Sequence, residues 1–482
     1  MAAVEPGAKR SGVDLAAAIP PFGRLLRRRW FPQALALPLL ALLVLFLATG
    51  WWGTPVGNRN GLVVFVWILW WFLLIAVLVP FGARAWCGVC PIPTVGEWLQ
   101  RRTLFGVRAE DPRDHREGPG HRVGRNRYRG LGRRWPRRLA NLWSQNLAFL
   151  GLATFSPVLL TSPLASAVAI GAMVLVATAV ALVFRQRTFC RYLCPVGGFL
   201  GLYAMGSTLA VRSRNASVCA DCREKSCLAG SERAWGCPWL EYPSRLERNN
   251  ACGLCFECVS ACPHENMSLF LRAPFSDRRL RGWDEAFKAF LMLGLALAYS
   301  VVYLGPRGEL KSAARGLATG DWLGFLGFAG GLWILALLVV PGVFLGAARA
   351  GRRLAAAPVP LRDLALAGAA ALVPFGLLVW IAFSVPLVLA NGSYVVAAAS
   401  DPFGRGWDLF GTSALGWTPV VPHWTPWIQA VLVLAGQAAG LRAGWLETLA
   451  TVADRRRAIA AFAPTAGALG ATALLFLALF VG

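Results

Sequence analysis

The stretch Cys252-Gly-Leu-Cys255-Phe-Glu-Cys258-Val-Ser-Ala-Cys262-Pro263 decides how the rest of this chain is read. Its spacing, C-x2-C-x2-C-x3-C-P, is the run that wraps a 4Fe–4S cluster: three close thiolates grip one cluster, and the fourth Cys serves another. One run therefore predicts a second set of ligands. Cys219, Cys222, Cys227 and Cys237 lie just upstream, and Pro238 again follows the last of them. Crossed ligation assigns Cys219, Cys222, Cys227 and Cys262 to one cluster and Cys252, Cys255, Cys258 and Cys237 to the other. Structural zinc is the alternative, because C-x2-C pairs also hold zinc. Eight cysteines with two Cys-Pro endings favour iron–sulfur.

Around this segment the chain is unusually apolar. Of its 482 residues 56% are hydrophobic and 21 are Trp. Apolar runs long enough to cross ~30 Å of hydrocarbon recur along it. Nine are predicted: Ala34–Trp52, Leu62–Phe81, Leu139–Leu160, Leu164–Phe184, Ala289–Leu304, Trp322–Leu345, Leu364–Leu389, Trp427–Leu441 and Ile459–Val481. The net charge of +24 is mostly arginine, set between the apolar runs rather than along one soluble face. Membrane topology explains it better than a nucleic-acid partner.

Arg24 and Arg27–Arg29 precede the first run, and the connections 101–138 and 185–281 are rich in arginine. The N-terminus is therefore expected inside, the C-terminus outside, and all twelve cysteines on the cytoplasmic side. A reducing compartment suits thiolate ligands and leaves no outside cysteine for a disulfide. The 101–138 connection reads as an irregular loop on anionic headgroups, and the Trp-rich loop from Asn391 to Pro426 as an interfacial belt.

Two further pairs close apolar hairpins: Cys87-Gly-Val-Cys90-Pro91 after the second run and Cys190-Arg-Tyr-Leu-Cys194-Pro195 after the fourth. Each has an arginine just upstream, Arg84 or Arg187, as a duplicated hairpin would. Inner loops of duplicated hairpins commonly meet near a pseudo-symmetry axis. Four thiols would then converge as a metal or redox site for iron–sulfur, zinc or cuprous copper. The two arginines are expected to favour the thiolates. The plainer alternative is a helix stop, with Pro ending each span and Cys packed as a small apolar residue.

The runs themselves are almost free of ionisable groups, which argues against a transporter acting alone. His115, His121, His264 and His423 all fall in predicted loops, so paired intramembrane haem ligands are absent. His264, two residues after Cys262, is a candidate for tuning a cluster by a hydrogen bond, or is simply exposed. No nucleotide-binding glycine loop, H-E-x-x-H or serine-nucleophile elbow occurs.

Trp86-Cys87-Gly-Val-Cys90-Pro91, Phe189-Cys190-Arg-Tyr-Leu-Cys194-Pro195 and the double-cluster segment through Cys262-Pro263-His264-Glu265-Asn266-Met267 together resemble the NosR/NapH group of membrane polyferredoxins. The first motif is one residue shorter than that group's C-x3-C-P, and the last five runs lie outside the similarity. The resemblance implies a bacterial inner-membrane electron-transfer protein serving respiratory or nitrogen-oxide reductases. A copper-handling or reductase-maturation role and a zinc-stabilised scaffold stand as alternatives.

The expected architecture is an all-α polytopic membrane protein of about nine transmembrane helices with an inserted small α+β ferredoxin-like double 4Fe–4S cytoplasmic segment. It divides into an N-terminal tail (1–33), two hairpins with the Cys-Pro motifs (34–184), the cluster segment (185–285) and a C-terminal membrane region (286–482). Expected partners are the lipid bilayer and a redox protein or the quinone pool, with no nucleic acid.

Overall fold

The computed structural model describes residues 12–28, 30–103, 130–304, 308–356 and 358–481. His115, His121 and most of the arginine-rich 101–138 connection lie outside these residues. The chain is mostly helical, as spanning segments must be where no water satisfies the backbone.

Helices form at all nine apolar runs. Seven are long and apolar enough to cross a membrane: Trp30–Trp52, Gly61–Gly82, Pro163–Val183, Trp283–Leu304, Trp322–Leu354, Leu361–Ser400 and Arg455–Val481. Trp143–Leu159 has only 17 residues. Thr425–Val452 has 28, but Gln429, Gln437, Arg442 and Glu447 dilute its apolar character. The helix Leu361–Ser400 runs on past Leu389, so the Trp-rich loop begins at Asp401 rather than Asn391. Asn391-Gly392 ordinarily marks a turn, but here Asn391 donates its side-chain amide back to the Leu387 carbonyl at 3.1 Å and the helix continues.

The described residues form two compact units. One takes in residues 45–77, 141–170 and 278–481. Its interior is built on Trp283–Leu304 and Leu361–Ser400, whose apolar stretches are 78% and 72% buried. Thr425–Val452 runs antiparallel to Leu361–Ser400 through a stripe of small residues. A Cβ on Gly440 would lie 2.8 Å from the Ala371 carbonyl oxygen, and one on Gly444 2.9 Å from Ala371 Cβ. Gly436 meets Leu378 and Phe375 in the same way. Glycines four apart are what lets two helices approach this closely in lipid. Gln429 donates to the Ala382 carbonyl at 3.0 Å, so even this polar side chain is satisfied by the neighbouring helix.

The other unit takes in residues 12–44, 78–140 and 171–277 and carries all twelve cysteines. Its small antiparallel sheet has the order β1-β3-β2, with β1 Val13–Asp14, β2 Leu209–Ser213 and β3 Met267–Leu271. The register pairs Val211 with Leu269 and Val13 with Leu271. Val211, Met267 and Leu269 are buried on a core shared with Leu26, Leu254, Val259 and the cluster-segment cysteines Cys258 and Cys262. The described residues 12–28 are thus part of this unit. Asp14 accepts from Ser268 Oγ and from Arg214 Nε at 2.6 Å, fixing β1 against β3.

Candidate iron–sulfur sites

Three cysteine quartets are assembled within this unit. The first is Cys219, Cys222, Cys227 and Cys262, which together line one pocket. Cys219 lies on the short helix Ala216–Asp221, capped by Asn215, and Cys262 is the C-cap of Glu257–Ala261. Burial pushes the Cys227 thiol up to about 12, with the neighbouring Cys262, Cys219 and Cys222 adding to it. Asn266 serves two of these sulfurs. Its backbone N–H donates to Cys262 Sγ at 3.3 Å and its side-chain amide to Cys219 Sγ at 3.1 Å. The amide orientation follows from the partners: Oδ1 accepts from the Asn215 N–H, so Nδ2 must face the sulfur. His264, the residue singled out from the sequence as a tuning donor, is exposed.

The second quartet is Cys237, Cys252, Cys255 and Cys258, lining a separate pocket beside Trp239. The loop reaches this shape by placing Leu254 and Phe256 at φ 46° and 58°, a region that non-glycine residues seldom occupy. Those turns aim backbone N–H groups at sulfur: Leu254 at Cys252 and Glu257 at Cys255, while Trp239 and Glu241 serve Cys237. Burial nevertheless raises Cys237 to about 12. The five-residue helix Glu257–Ala261 separates the two pockets, with Cys258 on the second and Cys262 on the first. Cys258 also feels the charge of Cys227, so the pockets are neighbours.

The third quartet is Cys87, Cys90, Cys190 and Cys194. Cys87 and Cys194 both bear on Cys90, and Cys194, Cys90 and Cys87 all bear on Cys190, so the four thiols lie near enough to feel one another's charge. The expected effect of Arg84 and Arg187 is present but outweighed. Arg187 pulls Cys90 and Cys190 down and Arg84 pulls Cys194 down, yet burial raises all three thiols, Cys194 to about 11. The prolines also do more than stop a span. Pro91 and Pro195 are the first residues of the helices Pro91–Arg101 and Pro195–Tyr203, with Cys90 and Cys194 as their N-caps. Proline is favoured at that position because its missing N–H would be unpaired anyway.

A buried ion network that the sequence reading missed braces the wall between the second and third quartets. Glu97 accepts from Arg187 at 2.6 Å and pairs with Arg101 at 2.6 Å, and Arg101 reaches Glu257 at 3.0 Å. Glu257 Oε2 in turn accepts from the Trp235 N–H at 2.9 Å. Paired this way, the charges avoid the heavy cost of isolated burial. Among the described residues, no three His, Cys, Asp or Glu side chains draw together tightly enough to hold a single metal ion.

A family model described as "4Fe-4S binding domain" (Fer4_5) matches twice, over residues 63–108 and 166–215. Each match contains one Cys-Pro motif, which agrees with the duplicated hairpin. The chain is 31% identical over 125 residues to the Escherichia coli (strain K12) protein named "Putative electron transport protein YccM", covering 25% of this chain and 32% of that one. It is 30% identical over 87 residues to the "Uncharacterized protein MJ0750" of Methanocaldococcus jannaschii, covering 18% and 32%. The chain thus spans about a third of the length of these relatives. No solved structure matches. This is an iron–sulfur protein of the membrane, similar over part of its length to one relative named a putative electron transport protein.

Proposed function

We propose that the chain relays electrons at the bacterial inner membrane through two 4Fe–4S clusters, passing them to or from a redox partner protein or the quinone pool. The single observation that carries this reading is the sorting of eight cysteines into two neighbouring pockets, Cys219, Cys222, Cys227 and Cys262 in one and Cys237, Cys252, Cys255 and Cys258 in the other. The donor set fits the group: four thiols per pocket, with N–H donors aimed at the sulfurs. When bound, such clusters supply one-electron chemistry at potentials set by hydrogen bonding and exposure. The chain's own part is to hold the thiolates, to donate to their sulfurs through Asn266 and the 254–257 backbone, and to exclude water with Trp239 and Leu254. The likeness to an electron-transport protein and to the NosR/NapH group supports the same reading.

The clusters are placed on the cytoplasmic side, by the arginine-rich connections. Two contacts support nine crossings rather than seven. β1 pairs with β3, so residues 14 and 270 share a side, and the chain must cross an even number of times between them. Convergence of Cys87 and Cys90 with Cys190 and Cys194 demands the same between Gly82 and Val183. Both conditions need Trp143–Leu159 to cross with Pro163–Val183. Thr425–Val452, packed along the buried middle of Leu361–Ser400, crosses as well.

Anaerobic purification with iron, acid-labile sulfide and EPR analysis tests the reading. Iron and sulfide in equal amounts with reducible cluster signals are expected. Stoichiometric zinc without acid-labile sulfide would overturn it.

A further inference from the structure

We propose that Cys87, Cys90, Cys190 and Cys194 are the four ligands of one further 4Fe–4S cluster, built across the duplicated hairpin. This deepens, and rests on, the iron–sulfur reading above. Each segment matched by the family model holds only two cysteines, Cys87 and Cys90 in one and Cys190 and Cys194 in the other. Neither can complete a four-thiolate cluster alone. Together they can.

The backbone of the two copies is the same up to the cysteines. Ala83 and Gln186, each one residue before the arginine, sit at φ 52° and 55°. A short helix then carries the first cysteine, and the second caps the next helix with nearly equal angles, −58°/128° at Cys90 and −60°/118° at Cys194. The arginines are exchanged between copies. Arg84 donates to the Cys190 carbonyl at 3.5 Å, while Arg187 donates to the Cys87 carbonyl and, at 3.2 Å, to that of Gly88. Each copy therefore holds the cysteine-bearing turn of the other, which is the local twofold arrangement a cubane with two ligands per side asks for.

Charge and size select the occupant. Buried Arg84 and two helix N-termini, of 11 and 9 residues, point positive potential at the quartet, while the charge of Arg187 is shared with Glu97. A four-thiolate cluster is an anion and gains from both. A lone zinc or cuprous ion needs donors drawn in to single-ion spacing, which none of the three quartets has.

The position is also one from which electrons could be exchanged with the second quartet. A Cβ on Gly88 would lie 2.9 Å from the Gly253 carbonyl oxygen and 3.4 Å from Cys255 Cα, so the two cysteine-bearing backbones touch. Trp239, which lines the second pocket, lies under Arg84 at 4.4 Å and Arg187 at 6.0 Å.

The test is a metal count on the anaerobically purified full chain. Iron and sulfide should each come to about twelve per chain rather than about eight. Cys190→Ser and Cys194→Ser should each remove about one third of both, while the EPR signals of the other two clusters persist. About eight irons in the unaltered chain, or copper or zinc equimolar with the chain and lost in Cys190→Ser, overturns the proposal. If these variants do not fold, the count on the unaltered chain decides alone. Failure of the underlying reading looks different: Cys222→Ser and Cys255→Ser would then leave the iron content untouched.

Discussion

The two ferredoxin-type quartets share a ligand pattern and differ in surroundings. Around the first, Ala220, Asp221, Arg223, Lys225, Pro263 and His264 are exposed. Around the second, Gly236, Pro238, Trp239, Gly253 and Leu254 are buried. The first takes a sulfur hydrogen bond from a side chain, Asn266, whereas the backbone itself serves the second. A shared arrangement of three close cysteines plus one distant one therefore does not mean equal sites. The outer quartet lies near the surface and takes a sulfur hydrogen bond from a side chain that substitution can remove. The inner one is fixed by its fold and backs onto the third.

The largest effect expected from breaking this contrast is at Cys255. Cys255→Ser should abolish the inner cluster's EPR signal and unfold much of the segment, because ligation supplies folding energy. Cys222→Ser should lose only the outer signal and leave the inner one intact. Equal damage from both, followed by EPR and thermal unfolding, would remove the distinction.

Next comes Gly253→Ala. Its Cβ would fall 2.3 Å from Nε1 of the buried Trp239, whose ring lies against Arg84. A loss of roughly 1–3 kcal/mol is expected from such overpacking, with the inner signal broadened. Denaturant titration with EPR checks it.

The third concerns pH in the cluster-free chain. Cys227 and Cys237 are raised from 9.0 to about 12, so the folded thiols keep their protons where the unfolded ones lose them. Folding stability from these groups is full below about 9 and is lost as pH rises from there to about 12. The unfolding midpoint of the apo protein should fall over that window, and that of the loaded protein much less. The same sign predicts faster cluster reconstitution at pH 9 than at pH 7, since ligation must release these protons.

The smallest effect sharpens the comparison most. Asn266→Ala removes one N–H···S bond from the outer cluster alone. Its midpoint potential should move negative by on the order of tens of millivolts, because one hydrogen bond is worth about 1 kcal/mol net. The inner potential should stay put in the same redox titration.

Much of this was legible in the chain. The C-x2-C-x2-C-x3-C-P spacing forecast which cysteines share a pocket, because the helix that separates Cys258 from Cys262 is encoded locally. The repeated Arg-x2-Cys lead-in forecast that Cys87 and Cys190 would meet. What escaped was set by partners distant in sequence. Asn266 has no spacing signature, and it gains its role only when β3 brings it beside Cys219. Glu97 reads as an ordinary helical residue until Arg187, 90 positions on, folds over it. Arg84 and Arg187 were read for their charge, and the burial that outweighs that charge is a property of packing. The role of Gly436, Gly440 and Gly444 likewise depends on a partner helix, through Ala371, that lies far upstream in the chain.

The pairing of Val13 with Leu271 also imposes an order on biogenesis. At 5–20 residues per second, roughly ten to fifty seconds separate synthesis of the first strand from that of its partner. During that interval the hairpins bearing the Cys-Pro motifs enter the bilayer, while the N-terminal strand waits without a sheet to join. Closure of the sheet, and with it a finished binding frame for iron and sulfide, follows membrane insertion. Cluster insertion into the two ferredoxin-type pockets is therefore expected only after the first hairpins have been synthesised.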